Sequence, residues 1–163
     1  MVMKKIFILV LASFLFHVHL NSGNDGWVLV DKKESYKNYL IEKEKEKMRA
    51  EFEVRKMITK MIIIRIESNF NVNAFNPSED AAGLFQVRPV MVREINRLLK
   101  EEKYSLEDRY SITRSIEMFV DYNSIVNPEW DYEKSARMWN GGITGMKKSS
   151  TDVYWEKFSS YLS

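Results

Sequence analysis

The sequence predicts a mainly α-helical single domain with little or no β-sheet. Three observations carry this. The chain has 163 residues, 45% apolar and 29% charged, which suits one globular domain rather than two or a disordered chain. From Lys33 to Ser68 there is neither Pro nor Gly, and the composition favours helix throughout. After residue 88, several segments place apolar residues on one helical face and end at Pro, Asn or Gly.

The elements follow in order. Met1 to Lys5 carries two lysines and no acid, and Ile6 to Phe16 carries no charge. His17 to Gly23 then leads into small polar residues, which is the layout of a secretory signal over residues 1–23. The run is short for a membrane span, which needs about 20 apolar residues, although an uncleaved anchor is the alternative. Residues 24–50 form a charged helical extension in which Glu42 to Lys47 alternates Glu and Lys, a solvated face. The folded domain is expected over residues 51–163. Its first helix carries an apolar stripe of Phe52, Met57, Ile58, Met61, Ile62, Arg65 and Ile66. Met61 to Ile66 reads equally as a short strand, but the unbroken helical lead-in favours helix.

Asn69 to Asp80 is a loop containing Pro77, and Ala81 to Val87 is a short apolar segment. A helix is expected from Pro89 to Lys100 with Met91, Ile95, Leu98 and Leu99 on one face. Ser105 and Asp108 have capping-box spacing. A helix from Ile112 to Val126 places Ile112, Ile116, Phe119, Val120 and Asn123 in register, and Asn127-Pro128 ends it. Asp131 caps a helix running to about Trp139, and Asn140-Gly141-Gly142 breaks the chain. Thr151 to Leu162 is the last helix, with Val153, Tyr154, Phe158 and Tyr161 inward.

Composition narrows the chemistry. There is no cysteine, which removes disulfides, thiolate metal sites and cysteine nucleophiles. The two histidines, His17 and His19, both lie in the export signal. A mature chain therefore has no imidazole base, no Ser-His-Asp triad and no histidine zinc site. Carboxylates, Tyr and Lys remain for acid–base work. The chain has 25 basic and 23 acidic residues, and Lys4 and Lys5 are the only charges in the first 23 positions. Without them the balance is even, which argues against nucleic-acid binding.

Three spots depart from local pattern. Glu67 closes the run Ile62-Ile63-Ile64-Arg65-Ile66, where burial would raise its pKa and make it a proton donor. Equally, it could form a structural ion pair with Arg65 or another base. Gly83 in Ala82-Gly83-Leu84-Phe85-Gln86 permits a turn or close approach, and Gln86 is a polar amide after two large apolar residues. Asn140 follows Trp139 at a helix end and precedes two glycines, where a plain C-cap is the alternative.

Taken together, Glu67-Ser68-Asn69-Phe70, Gly83-Leu84-Phe85-Gln86 and Trp139-Asn140-Gly141-Gly142 resemble the lytic transglycosylase branch of the lysozyme superfamily. The resemblance covers about Met57 to Gly142, with Asn73-Ala74-Phe75-Asn76 similar to a short Asn-x-Ala-x-Ser stretch of that family. Phe85 stands where the family usually has Met, Asp80 where it often has Gly, and Trp139 where it usually has Tyr. An indole only donates a hydrogen bond, whereas a phenol also accepts. Val87-Arg88-Pro89-Val90 lacks the Thr often found after the family's Pro.

The resemblance implies a lysozyme-like fold and cleavage of the β-1,4 bond between N-acetylmuramic acid and N-acetylglucosamine in peptidoglycan. Glu67 would be the single general acid and base. Ser68, Gln86 and Asn140 would hydrogen-bond the sugar or orient Glu67, with Phe85 and Trp139 as apolar walls. The product would be a 1,6-anhydro sugar, with no cofactor and no metal. The expected setting is the periplasm or cell envelope, as a monomer, with a possible envelope protein partner on the N-terminal helix. Glu79 and Asp80 are the nearest candidates for a second carboxylate. If one approaches the cleft, simple hydrolysis of the same bond becomes the better reading. The alternatives outside catalysis are a glycan-binding lysozyme-like module and a helical interaction protein.

Overall fold

The computed structural model describes residues 32–163, so the expected export signal and both histidines lie outside the described residues. The chain divides into two units, Met1–Tyr39 and Leu40–Ser163, and the core and the cavities lie in the second. Helix α1 spans Lys32–Glu67. A two-stranded antiparallel sheet follows, with β1 at Phe75–Asn76 and β2 at Ala81–Ala82. Then come α2 (Pro89–Leu99), α3 (Ile112–Val126), α4 (Tyr132–Gly141) and α5 (Asp152–Ser159). Short 3-10 turns lie at Glu107–Tyr110, Gly145–Lys147 and Ser149–Thr151. The fold is mainly helical, as the sequence predicts. Among the described residues no helix is long and apolar enough to cross a membrane.

The Glu/Lys segment is a solvated helix face. Lys45 donates to Glu42 at 2.7 Å and Lys56 to Glu53 at 3.0 Å, both three residues apart. Met61 to Ile66 is helix, but the buried side is rotated from the expected stripe. Met57 and Met61 are exposed, and Thr59, Ile62, Ile63 and Ile64 are buried. Thr59 is tolerated there because its hydroxyl donates back to the Arg55 carbonyl at 2.8 Å.

The same correction applies to α3. Ile112 is exposed, and the buried face is Ser115, Met118, Phe119, Tyr122 and Asn123. Two of these hide their hydroxyls: Ser115 donates to the Ile112 carbonyl at 3.1 Å and Tyr122 to the Met138 carbonyl at 3.1 Å. A polar side chain that satisfies its own hydrogen bond can pack as an apolar one. Helix α5 ends at Ser159 rather than Leu162, and Val153 within it and Tyr161 beyond it are exposed rather than inward, while Phe158 is fully buried.

The caps fall where the sequence places them, with one difference. Asp131 accepts from the Lys134 amide at 2.8 Å and starts α4. Asp108 accepts from the Ser105 amide at 2.9 Å, yet a 3-10 turn follows, and α3 has its own cap in Ser111.

The centre of the fold is aromatic. Phe85 stacks on Phe119 with ring centroids 4.7 Å apart, and Trp139 meets Phe119 edge-on at 4.9 Å. This cluster ties the turn after β2 to α3 and α4, and so fixes the distance between the two walls of the cleft described next.

Candidate active site

Glu67 is the last residue of α1. The helix stops because Asn69 and Phe70 both adopt left-handed backbone, with φ of 51° and 65°. Arg65 is exposed and donates to the Asn69 side chain, so its nearest partner is not Glu67. Glu67 instead accepts a 2.6 Å hydrogen bond from the Tyr154 hydroxyl on α5. Burial pushes the Glu67 carboxyl from 4.5 up to about 7. The Tyr154 hydrogen bond works against this, as do the charges of Arg88 and Lys157, and the charge of Glu79 adds to it. Burial, with the negative charge and hydrogen bond of Glu67, holds the Tyr154 phenol well above its usual range. A carboxyl with a pKa near neutrality can both give and take a proton.

Glu67 lines a cavity of about 160 Å³ together with Asn76, Glu79, Ala81, Gln86, Val87, Arg88, Met91, Trp139 and Asn140. The turn after β2 forms one side. Gly83 has φ +74°, and a Cβ there would lie 1.9 Å from the Arg109 carbonyl oxygen. Arg109 is buried beneath this turn and donates to the Asp80 carbonyl at 2.6 Å and to the Asp80 carboxylate at 3.3 Å. Gln86 sits at φ +47°, and its Nε2 donates to the Ala74 and Gly83 carbonyls at 3.1 and 3.0 Å. Its amide oxygen is the polar atom left for a ligand.

The candidate residues are distributed as follows. Glu67, Gln86, Trp139 and Asn140 converge on the cavity. Phe85 does not line it, because the side chain is fully buried against Phe119 and Trp139. Its effect on the site is therefore to place the neighbouring Gln86. Trp139 is buried, and its indole N–H donates to the Phe85 carbonyl at 3.3 Å, so it braces the turn as well as walling the cavity. Ser68 is also outside the lining, with its hydroxyl donating to the Ile64 carbonyl at 3.2 Å.

Of the two loop carboxylates, Glu79 lines the cavity and Asp80 is taken by Arg109. In the sequence Tyr154 carries only the pattern of a core residue, and Arg88 carries no signal of a role. Tyr154 is far from Glu67 in sequence, so only the fold reveals the pair. Among the described residues no group of His, Cys, Asp and Glu could hold a metal ion.

A family model described as the transglycosylase SLT domain matches residues 42–161, from the third turn of α1 to just past the end of α5. The chain belongs to the transglycosylase SLT domain family. Comparison with curated proteins and with solved structures gives no match. The helical architecture with one small sheet is the lysozyme-like fold of SLT domains, and it puts Glu67 of this SLT domain at the end of the long helix, facing the cavity. Membership supports a lytic transglycosylase of peptidoglycan at the level of the domain.

Proposed function

We propose that this protein cleaves the β-1,4 bond between N-acetylmuramic acid and N-acetylglucosamine, with Glu67 as the general acid and then the general base. The observation that carries this is one half-buried carboxyl, raised to about 7 and hydrogen-bonded by Tyr154, in a cavity lined by Gln86 and Asn140. Glu67 gives its proton to the bridging oxygen as the C1–O bond breaks. The substrate's own acetamido oxygen stabilises the cationic carbon, an established alternative to a second carboxylate. The Glu67 carboxylate then takes the proton of the C6 hydroxyl, whose oxygen closes on C1. Glu67 ends protonated, and no water is consumed. Asn140 and the amide oxygen of Gln86 hold the sugar's polar groups. The place of action is the cell envelope, after export through residues 1–23.

A second reading has an observation behind it. Glu79 lines the same cavity, so a carboxylate is available to activate water for hydrolysis. Its side chain is 57% exposed and lies 3.9 Å from Arg88, which makes it a solvated rim charge paired to a cation. Glu79 does approach the cleft, which on the sequence alone favours hydrolysis, but it does so as a solvated charge beside Arg88, and for that reason the transglycosylase reading is preferred. Mass spectrometry of products from purified peptidoglycan separates the two. Muropeptides one water lighter than hydrolysis products are expected, and products with ordinary reducing ends would establish hydrolysis instead.

A further inference from the structure

Arg88 stands between β2 and α2, immediately before Pro89, with extended backbone and no capping bond from its side chain. Among the described residues lining the Glu67 cavity it is the one cation, against two acids. It also lines a second, more open cavity formed with Val90, Glu94, Gly142, Ile143 and Lys148. Its Nη2 donates to the Asn140 carbonyl at 3.0 Å. Its Nη1 lies 3.9 Å from a Glu79 carboxylate oxygen, beyond hydrogen-bond reach. A guanidinium has five N–H donors in a rigid fork, and one of them is engaged here.

Resting on the glycan-cleaving reading above, we infer that Arg88 determines specificity by binding a carboxylate carried by the glycan strand. The fork of a guanidinium matches two carboxylate oxygens and favours them over neutral sugar hydroxyls. The Asn140 carbonyl holds the group in place, which removes part of the ordering cost of binding. Two-thirds of the Arg88 side chain is shielded from water while Glu79 is mostly exposed. A strand carboxylate therefore replaces Glu79 at Arg88, and Glu79 swings into solvent, where it is readily hydrated. Neutral β-1,4 glycans lack the group and gain nothing from Arg88. The carboxylate belongs either to the lactyl ether of a peptide-free muramic acid or to the stem peptide.

The test is binding to the full chain carrying Glu67→Gln, so that turnover plays no part. The probes are peptide-free strands, the same strands with lactyl carboxylates converted to methylamides, and peptide-bearing strands with and without amidated carboxylates. Neutralising the relevant carboxylate should weaken Kd by roughly 10- to 100-fold. Adding Arg88→Gln should weaken the charged strand equally and abolish the difference between charged and amidated strands. Arg88→Lys should fall between, and Glu79→Gln should keep the difference. The pair of strands that shows the effect identifies the lactyl or the peptide source. Equal weakening of charged and neutral strands by Arg88→Gln would reduce the residue to a structural brace and overturn the inference. So would a Kd indifferent to amidation in both pairs. Because binding is read in a variant without its acid, a failure of cleavage by the wild type is a separate result.

Discussion

Tyr154 donates a 2.6 Å hydrogen bond to Glu67 although the two residues are 87 positions apart. This bond closes α5 onto the end of α1 and fixes which Glu67 oxygen is free for substrate. Its electrical effect opposes that of burial, since a donor favours the carboxylate. The value of about 7 is the outcome of these two together with the smaller effects of Arg88, Lys157 and Glu79.

Tyr154→Phe keeps the packing and removes the donor. The Glu67 pKa should rise above about 7, moving the alkaline fall in activity to higher pH. Turnover should drop roughly 100-fold, because the carboxylate form that acts as base loses its orienting partner. The pH profile of kcat on purified peptidoglycan checks this. A lower rate with an unmoved alkaline limb would make Tyr154 a packing residue.

Much of this site was legible because its residues break local pattern. Glu67 ends an apolar run, Gly83 sits before a buried segment, and Asn140 precedes two glycines. Glu67 and Asn140 line the cavity, and Gly83 shapes the turn that forms one side of it. Helix ends were legible too, because Asp131 and Pro89 act through neighbours in sequence. Faces were less so. Ser115 and Tyr122 read as polar in the sequence, yet each satisfies its hydroxyl and is buried. Phe85 reads as a wall for sugar, but the stack on Phe119 draws it into the core. The Tyr154 contact and the Arg88–Asn140 bond join distant elements, and no local signal marks them.

Gly83→Ala should destabilise the fold severely. The new Cβ meets a backbone oxygen at 1.9 Å, and the residue must also hold φ +74°. The cost should reach about 3 kcal/mol or more, because backbone cannot move aside as a side-chain tip can. Denaturant unfolding of the purified variant measures it. A loss under about 1 kcal/mol would show that the turn can relax away from Arg109.

Gln86→Ala and Asn140→Ala should separate. Gln86 Nε2 bonds two backbone carbonyls, so its removal should cost about 1 kcal/mol of stability besides activity. Asn140 contributes its backbone carbonyl to Arg88, which alanine retains, so activity should fall with the melting temperature nearly unchanged. Melting temperature and turnover on both variants decide. Equal thermal losses would assign Asn140 a structural duty.

Stability should depend on pH through Glu67. Its folded value of about 7 lies above the ordinary 4.5, so between these values the folded state keeps a proton that the unfolded state has lost. Stability from this group therefore falls as pH rises through that window. Glu67→Gln removes the penalty, so the variant should be more stable than wild type at pH 8 by about 1–3 kcal/mol, and the gap should close towards pH 5. Chemical denaturation at the two pH values reads the gap. A gap that is absent at pH 8, or larger at pH 5, would contradict an acid raised by its surroundings.

Whether the chemistry passes through Glu67 is decided by turnover of purified peptidoglycan by Glu67→Gln beside wild type, with strand binding measured on both. Gln keeps the shape of Glu and can still accept from Tyr154, but it cannot exchange the proton. Binding should survive within a few-fold, and turnover should fall by about 10⁴-fold or more, at or beyond the upper end for a general acid–base group, since the account gives Glu67 both roles. Turnover within about tenfold of wild type would contradict the account, because the chemistry would then not pass through Glu67.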